Sequence, residues 1–162
     1  MLIRLIIFFI FSFALPSPEL SQESDASLKP ASTAIIEIGA YNVRNDKDGD
    51  YLIDIYASNR QPIAGIQFEL LGEDFEILDA SGGRAAHSGF SFYNGKGGII
   101  LAFSLTGKAV SPVDDVYKKV NPLFTVKVNK RSVKEEFIFN LKTLVSSQKG
   151  VKLDSKFIPV TF

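Results

Sequence analysis

The chain has no cysteine and no tryptophan, a single histidine, and no excess of charge of either sign, with 18 basic residues balanced by 18 acidic ones over 162 positions. Each absence removes something. Without cysteine there is neither a disulfide framework nor a lipid-bearing cysteine, so stability rests on packing alone. Balanced, interspersed charge gives no electrostatic grip on a phosphate backbone, and nucleic acid is not an expected partner. The one histidine, His87, lies in the stretch Ser81 to Gly89 (SGGRAAHSG), read as a loop, with no second metal ligand at short spacing. A nucleophile triad needs a histidine that is oriented by a carboxylate and touches Ser or Cys, and nothing here supplies that set. The carboxylate pairs Asp114-Asp115 and Glu135-Glu136 sit in polar connections, where adjacent side chains point apart. The glycine cluster at 94–98 lacks the Lys-Ser/Thr and helix of a phosphate loop. The expectation is a protein that is not an enzyme and uses no cofactor and no metal.

One stretch argues against that at first sight. Asn45-Asp46-Lys47-Asp48-Gly49-Asp50 spaces three aspartates two apart beside a glycine, as a calcium loop does. With Gly49 at loop position 6, however, position 1 is Arg44 and position 12 is Ile55, and neither can ligate a cation. An Asp-Gly between two apolar runs is instead a hairpin turn.

At the start of the chain, Arg4 precedes the apolar run Leu5 to Leu15, which Pro16 ends. A basic start, an apolar stretch within the usual ~7–15 residues and a helix breaker make a signal peptide pattern. The run is shorter than the about 20 apolar residues of a bilayer span, and an uncleaved anchor is the alternative. We assign residues 1–21 to the signal peptide, with its cleavage site open, and 22–33, rich in Ser, Pro and acidic groups, to a flexible lead-in. The mature protein is expected to be secreted or displayed at the cell surface, without a membrane span, as a monomer.

From Ala34 onward short apolar runs alternate with turn formers, and no window of a dozen residues keeps a helical period. Nine strand candidates result, at approximately 34–41, 50–58, 63–71, 75–80, 89–94, 98–106, 121–129, 136–145 and 156–162, with an irregular connection over 107–120. The pattern predicts an all-β, nine-stranded β-sandwich with jelly-roll topology. Alternation then assigns faces. Ile66, Phe68 and Leu70 share the inward side, and Gln67 and Glu69 face out. Leu101, Phe103 and Leu105 are read as inward, and Ala102 and Ser104 as outward. Phe124, Val126, Val128, Phe137, Phe139, Leu141, Ile158, Val160 and Phe162 extend the core, and the 14 phenylalanines are first of all packing material.

The runs Ile63-Ala64-Gly65-Ile66-Gln67-Phe68-Glu69-Leu70, Phe75 to Ala80, Gly98 to Gly107 and Leu123 to Val128 resemble a cohesin domain, over roughly 34–162. The likeness lies in an I-x-G-hydrophobic-x-F strand and the apolar strands after it, which are loose patterns. Where many cohesins carry Tyr-Asp-Pro before the fourth strand, this chain has Leu71-Gly72-Glu73-Asp74. The resemblance implies a module of exported proteins that holds a dockerin-like partner, in assemblies linked to polysaccharide degradation. It also implies a binding face built from the third, fifth, sixth and eighth strands. Carried over strand by strand, the candidates are Gln67 and Glu69 on the third, Tyr93 on the fifth, Ala102 and Ser104 on the sixth and Asn140 on the eighth; Gln67 falls where some cohesins place a contacting Asp or Asn.

Two other readings stay open. A carbohydrate-binding module would suit the same fold and export, with polysaccharide as ligand. Lacking tryptophan, it would have to build its platform from Tyr41, Tyr51, Tyr56, Tyr93 and Tyr117. A surface adhesion or structural domain with no soluble ligand is the third. The fold hosts all three and cannot choose among them.

Overall fold

The computed structural model describes residues 35–113, 121–132 and 135–162. The signal peptide and lead-in assigned to 1–33, Tyr117, the pair Asp114-Asp115 and the later part of the 107–120 connection lie outside the described residues.

Alternating β-branched and aromatic side chains set the strands. In β2 (Tyr51–Ser58), Ile53, Ile55 and Ala57 are fully buried on one side. In β7 (Phe124–Lys130), Phe124, Val126 and Val128 do the same, as period-2 alternation over a half-buried sheet requires. β1 (Ile36–Asn45) and β4 (Phe75–Ser81) flank that pair, and β10 (Ser155–Ile158) adds to the far edge, giving the sheet order β10-β1-β2-β7-β4. The second sheet runs β11-β8-β3-β6-β5, from β3 (Gly65–Leu71), β5 (Ser91–Gly95), β6 (Ile99–Phe103), β8 (Ile138–Ser146) and β11 (Val160–Thr161), while the short β9 (Lys152–Leu153) pairs with β8. Except for the parallel β1–β10 pair, neighbours are antiparallel. This is the expected jelly-roll β-sandwich.

Phenylalanines hold the two sheets together. Phe68 of β3 meets Phe124 of β7 at 5.0 Å between ring centroids, and Phe75 meets Phe137 edge-on at 4.8 Å. Such tilted and edge-to-face pairs add to the stabilisation from buried area. Without cysteine, the domain is held by this aromatic layer together with the buried Ile, Val and Leu side chains around it.

Three expectations need correction. The last strand is not one strand: after β10 joins the first sheet, the chain crosses at Pro159 and β11 joins the second, which leaves Ile158 at 37% exposure instead of in the core. The SGGRAAHSG stretch is not all loop, because α1 (Gly83–His87) forms one helical segment there. Its first amides, of Arg84 and Ala85, donate to the carbonyls of Pro122 and Leu123 at 2.9 Å, and Ala85 is fully buried. Gly83 permits this approach, since it has φ +61° and a Cβ there would lie 2.5 Å from both carbonyl oxygens. The third correction concerns β6, where Ile100 and Ala102 point into the core and Leu101 and Phe103 point out.

Candidate functional site: the outer face of the second sheet

The reversed facing of β6 follows from its neighbours. Phe68 pairs with Ile100 and Ile66 with Ala102 across the β3–β6 ladder, and residues directly opposite share a face. Because Ile66 and Phe68 are buried, Ile100 and Ala102 must be buried too; Ala102 is 1% exposed. A one-residue slip would turn every side chain of β6 over. Ala102 is therefore a core residue and leaves the set of candidate contacts.

Ser104 leaves it as well, for a different reason. β6 ends at Phe103, and the Ser104 hydroxyl closes the turn that follows. Its Oγ accepts the amides of Thr106 and Lys108, both at 3.3 Å, and lies 3.0 Å from the Thr106 hydroxyl.

The remaining candidates share the outer face of the second sheet with side chains that alternation misassigned or passed over. Cross-strand register builds the face in rows. One row reads Leu144, Gln67, Leu101, Tyr93 across β8, β3, β6 and β5. The next, toward the β3 start, reads Ser146, Gly65, Phe103, Ser91, and the row on the other side reads Lys142, Glu69, Ile99, Gly95. Asn140 lies beyond, opposite Leu71, half-buried and away from the apolar centre.

Large apolar groups are exposed together here. Leu101, Phe103, Leu144 and Tyr93 are each between 36% and 45% exposed, and the Tyr93 and Phe103 rings stack at 5.2 Å with planes 20° apart. Gly65 has no side chain, and a Cβ there would come within 2.7 Å of Ser146 Oγ. A shallow depression therefore opens between Gly65, Gln67, Leu101, Phe103, Leu144 and Ser146. Gln67 stands in it as the one amide among apolar neighbours, able to donate and to accept. Beside it Glu69 is held by the Lys142 ammonium at 3.0 Å. Apolar side chains exposed singly are ordinary, whereas four that adjoin on one sheet face make this face the candidate interaction surface.

The outer face of the first sheet has the opposite character. Asp54 there accepts hydrogen bonds from Asn42 Nδ2 (2.7 Å), Arg44 Nη1 (2.8 Å) and Thr125 Oγ1 (2.7 Å). Burial pushes the Asp54 carboxyl up, but those three donors together bring it below its ordinary value. Asn42 reaches Asp54 from a β-bulge, at φ +51°. At the neighbouring hairpin the calcium-like stretch has its own cation. Lys127 Nζ of β7 sits 2.6 Å from Asp46, 3.0 Å from Asp50 and 3.5 Å from Asp48. Asp46 Oδ1 also accepts the amides of Asp48 (2.8 Å) and Asp50 (3.0 Å), and Gly49 takes φ +85°, so the turn read from Asp-Gly is present. Hydrogen bonding to Lys127 lowers the Asp46 carboxyl; Asn129 and then Lys127 lower that of Asp50. The Lys127 ammonium is raised in turn by its bonds to both. This charged face is paired within itself.

His87 is exposed on α1, and its Nδ1 bonds the Gly83 carbonyl at 2.8 Å. Among the described residues no group of three or more His, Cys, Asp or Glu side chains converges as a metal site.

No protein-family model and no curated protein matches the chain. Solved structures do match in shape. The non-cellulosomal cohesin of the archaeon Archaeoglobus fulgidus superposes with a TM-score of 0.54 at 16% identity, covering 80% of this chain and 90% of that one. The third ScaB cohesin of R. flavefaciens, solved with a group 1 dockerin, gives 0.54 at 16% identity over 80% and 94%. The sixth cohesin of scaffoldin B from Acetivibrio cellulolyticus, solved with a Cel5 dockerin, gives 0.53 at 10% identity over 79% and 97%. The fold is cohesin-like. At these identities the likeness is one of backbone architecture, and the side chains on the β8-β3-β6-β5 face are this chain's own. Within the cohesin-like frame, Leu101, Phe103 and Leu144 are the residues that alternation missed. For Leu144 a signal was present: it breaks the polar run Asn140, Lys142, Ser146 on the outward parity of β8.

Proposed function

We propose that the outer face of the β8-β3-β6-β5 sheet docks a dockerin-like protein module, and that the domain is a non-catalytic binding module of an exported or cell-surface assembly. The observation that carries this reading is the apolar row Leu144, Leu101, Tyr93 with Phe103 beside it, exposed on a sheet whose fold counterparts include cohesins solved with dockerins. Tyr93 is retained as part of that row, and Gln67, Glu69 and Asn140 as polar contacts beside it. The first sheet's outer face is the weaker candidate, because its charges already satisfy one another.

The test is capture of purified dockerin modules by the full chain and by Leu101→Asp, Phe103→Asp and Lys47→Glu. Central apolar contacts are each worth ~2 kcal/mol or more when lost, so both aspartate variants should bind at least about thirtyfold more weakly. Lys47 is exposed on the opposite hairpin, and its variant should bind as wild type does. Equal binding by all the variants would remove this face.

A polysaccharide ligand is the second reading, and it narrows to the stacked Tyr93–Phe103 pair. Tyr56 is buried, Tyr41 and Tyr51 are half-buried against other rings, and Tyr93 is the exposed tyrosine among the described residues. Retention on insoluble polysaccharide that is lost in Tyr93→Ala, with no dockerin captured, would favour it.

A further inference from the structure

The docking face is electrically asymmetric. At its Ser146 end two loops converge: Ser104 to Lys108, after β6, and Ser147 to Val151, between β8 and β9. Gln148 Nε2 ties them by donating to the Gly107 carbonyl at 3.1 Å. Each loop is also bonded within itself, since the Ser104 hydroxyl accepts the Lys108 amide (3.3 Å) and the Ser147 amide donates to the Val151 carbonyl (2.9 Å). The two loops expose Lys108 and Lys149, β9 exposes Lys152, and Leu105 and Val151 in the same loops are 76% and 60% exposed. Lys152 pairs with Ser146, and Ser146 with Gly65, so Lys152 extends the row that holds Phe103.

Lys127 is paired with three aspartates, Lys142 with Glu69 and Lys156 with Glu37, whereas the exposed Lys47 and Lys96 lie singly on the hairpins after β1 and β5. Among the described residues no carboxylate lies at ion-pair distance from Lys108, Lys149 or Lys152. Asp154, the next acid along the chain, has already crossed to the first sheet, where its carbonyl accepts the Ile36 amide. Three like charges on these two tied loops and on β9, at the Ser146 end of the face, are complementary to carboxylates. The chain as a whole has no net charge, so this is a local, directional attraction and not a general affinity for polyanions. The apolar centre, with its stacked rings and depression at Gly65, requires a shaped apolar counterpart, which a protein surface supplies.

We infer that the partner is a protein module with an apolar ridge and a cluster of carboxylates at one end, seated over Lys108, Lys149 and Lys152, and that this charge contact fixes the direction in which the partner lies. The inference rests on the docking reading above and deepens it.

A displayed library of dockerin-fold modules, randomised at exposed helix positions, is selected against the full chain. The winners are then titrated against wild type, Leu101→Asp and the triple variant Lys108→Glu/Lys149→Glu/Lys152→Glu, with circular dichroism confirming that each is folded. Winners should be enriched in Asp and Glu at one end of the contacting helix. The triple variant should bind them at least about tenfold more weakly at low salt, chiefly through slower association, and the gap should narrow at ~0.5 M salt. Winners without an acidic bias, or equal binding by the triple variant while Leu101→Asp abolishes it, would overturn the charge inference and leave the docking reading standing. A selection that yields no Leu101-dependent winner would overturn both. Lysine-dependent retention on anionic phospholipid vesicles or on a polyuronate, with no acidic module selected, would overturn the assignment to a protein partner.

Discussion

Exchanging arginine for one of two adjacent residues of β6 separates the core from the proposed docking face. Ala102 is 1% exposed, opposite Ile66 on β3 and Phe92 on β5, so Ala102→Arg forces a guanidinium into an apolar interior without a counter-charge. An unpaired buried charge costs several kcal/mol even after relaxation, and overpacking adds to it. We take at least about 4 kcal/mol, a large part of the ~5–15 kcal/mol that holds a domain folded. Leu101, one residue away, is already 38% exposed, and an arginine there can lay its methylenes on Tyr93 and Gln67 while its head stays in water. Its cost should stay within about 1 kcal/mol. Urea unfolding followed by circular dichroism measures both against wild type, with unchanged slope as the sign that the midpoints report stability. Ala102→Arg should be largely unfolded or shifted to a much lower midpoint, and Leu101→Arg should unfold near wild type while failing to bind a partner. The reverse order, or equal losses, would refute the register-based facing of β6 and the docking face with it.

Other expectations follow from the first sheet and its hairpin. The carboxyls of Asp46, Asp50 and Asp54 are lower in the folded chain than in the unfolded one, so the stability they contribute is complete above the unfolded value of ~3.9 and is lost as pH falls through their folded values. Thermal melts should therefore hold level from near neutrality down to about pH 5 and drop below about pH 4, with a smaller drop in Asp54→Asn. Asp54→Ala, which strips Asn42, Arg44 and Thr125 of their shared acceptor, should cost about 2 kcal/mol by chemical denaturation at pH 7. Chelation of divalent ions should leave Tm unchanged, because the Lys127 ammonium holds the aspartates; Lys127→Met should lower Tm, more so at low salt where carboxylate repulsion is least screened. Gly39→Ala should lower Tm by roughly 3–10 °C in a calorimetric scan, since a Cβ there would lie 2.5–2.7 Å from the buried Tyr56 ring.

Much of the architecture was legible because most strands carry apolar residues on one parity only. Ile53-Asp54-Ile55 and Phe124-Thr125-Val126-Lys127-Val128 can be oriented in just one way, and the hairpin at Asp48-Gly49 follows from turn chemistry. What escaped were features decided by tertiary contact. The five-residue helix at Gly83 is too short to show a period, and its amides are satisfied by the distant carbonyls of Pro122 and Leu123. The final segment looked like one strand because nothing local tells Phe157 that it belongs to one sheet and Val160 that it belongs to the other. The calcium-like stretch was rejected on the residues at its ends, whereas the group its aspartates pair with, Lys127, lies some eighty residues away.

The candidate site was harder to read than the fold because a docking face violates the rule used to find it. Alternation places polar residues outside, and it served for Gln67 and Glu69, whose inward neighbours are plainly apolar. In Ile99-Ile100-Leu101-Ala102-Phe103 both parities are apolar, so the pattern has no firm preference, and alternation read Leu101 and Phe103 as inward together with Leu105, opposite Ala102 and Ser104. Register decides otherwise: once Ile66 and Phe68 are inside, pairing commits Ile100 and Ala102 to the inside and leaves the larger groups in water. A strand that is apolar on both sides in the middle of a two-layer sandwich has one side more than the core can use. That surplus side, continued by Leu144 and Tyr93 on strands to its left and right, is apolar surface that folding leaves in water, and it is the surface that the proposed partner would cover.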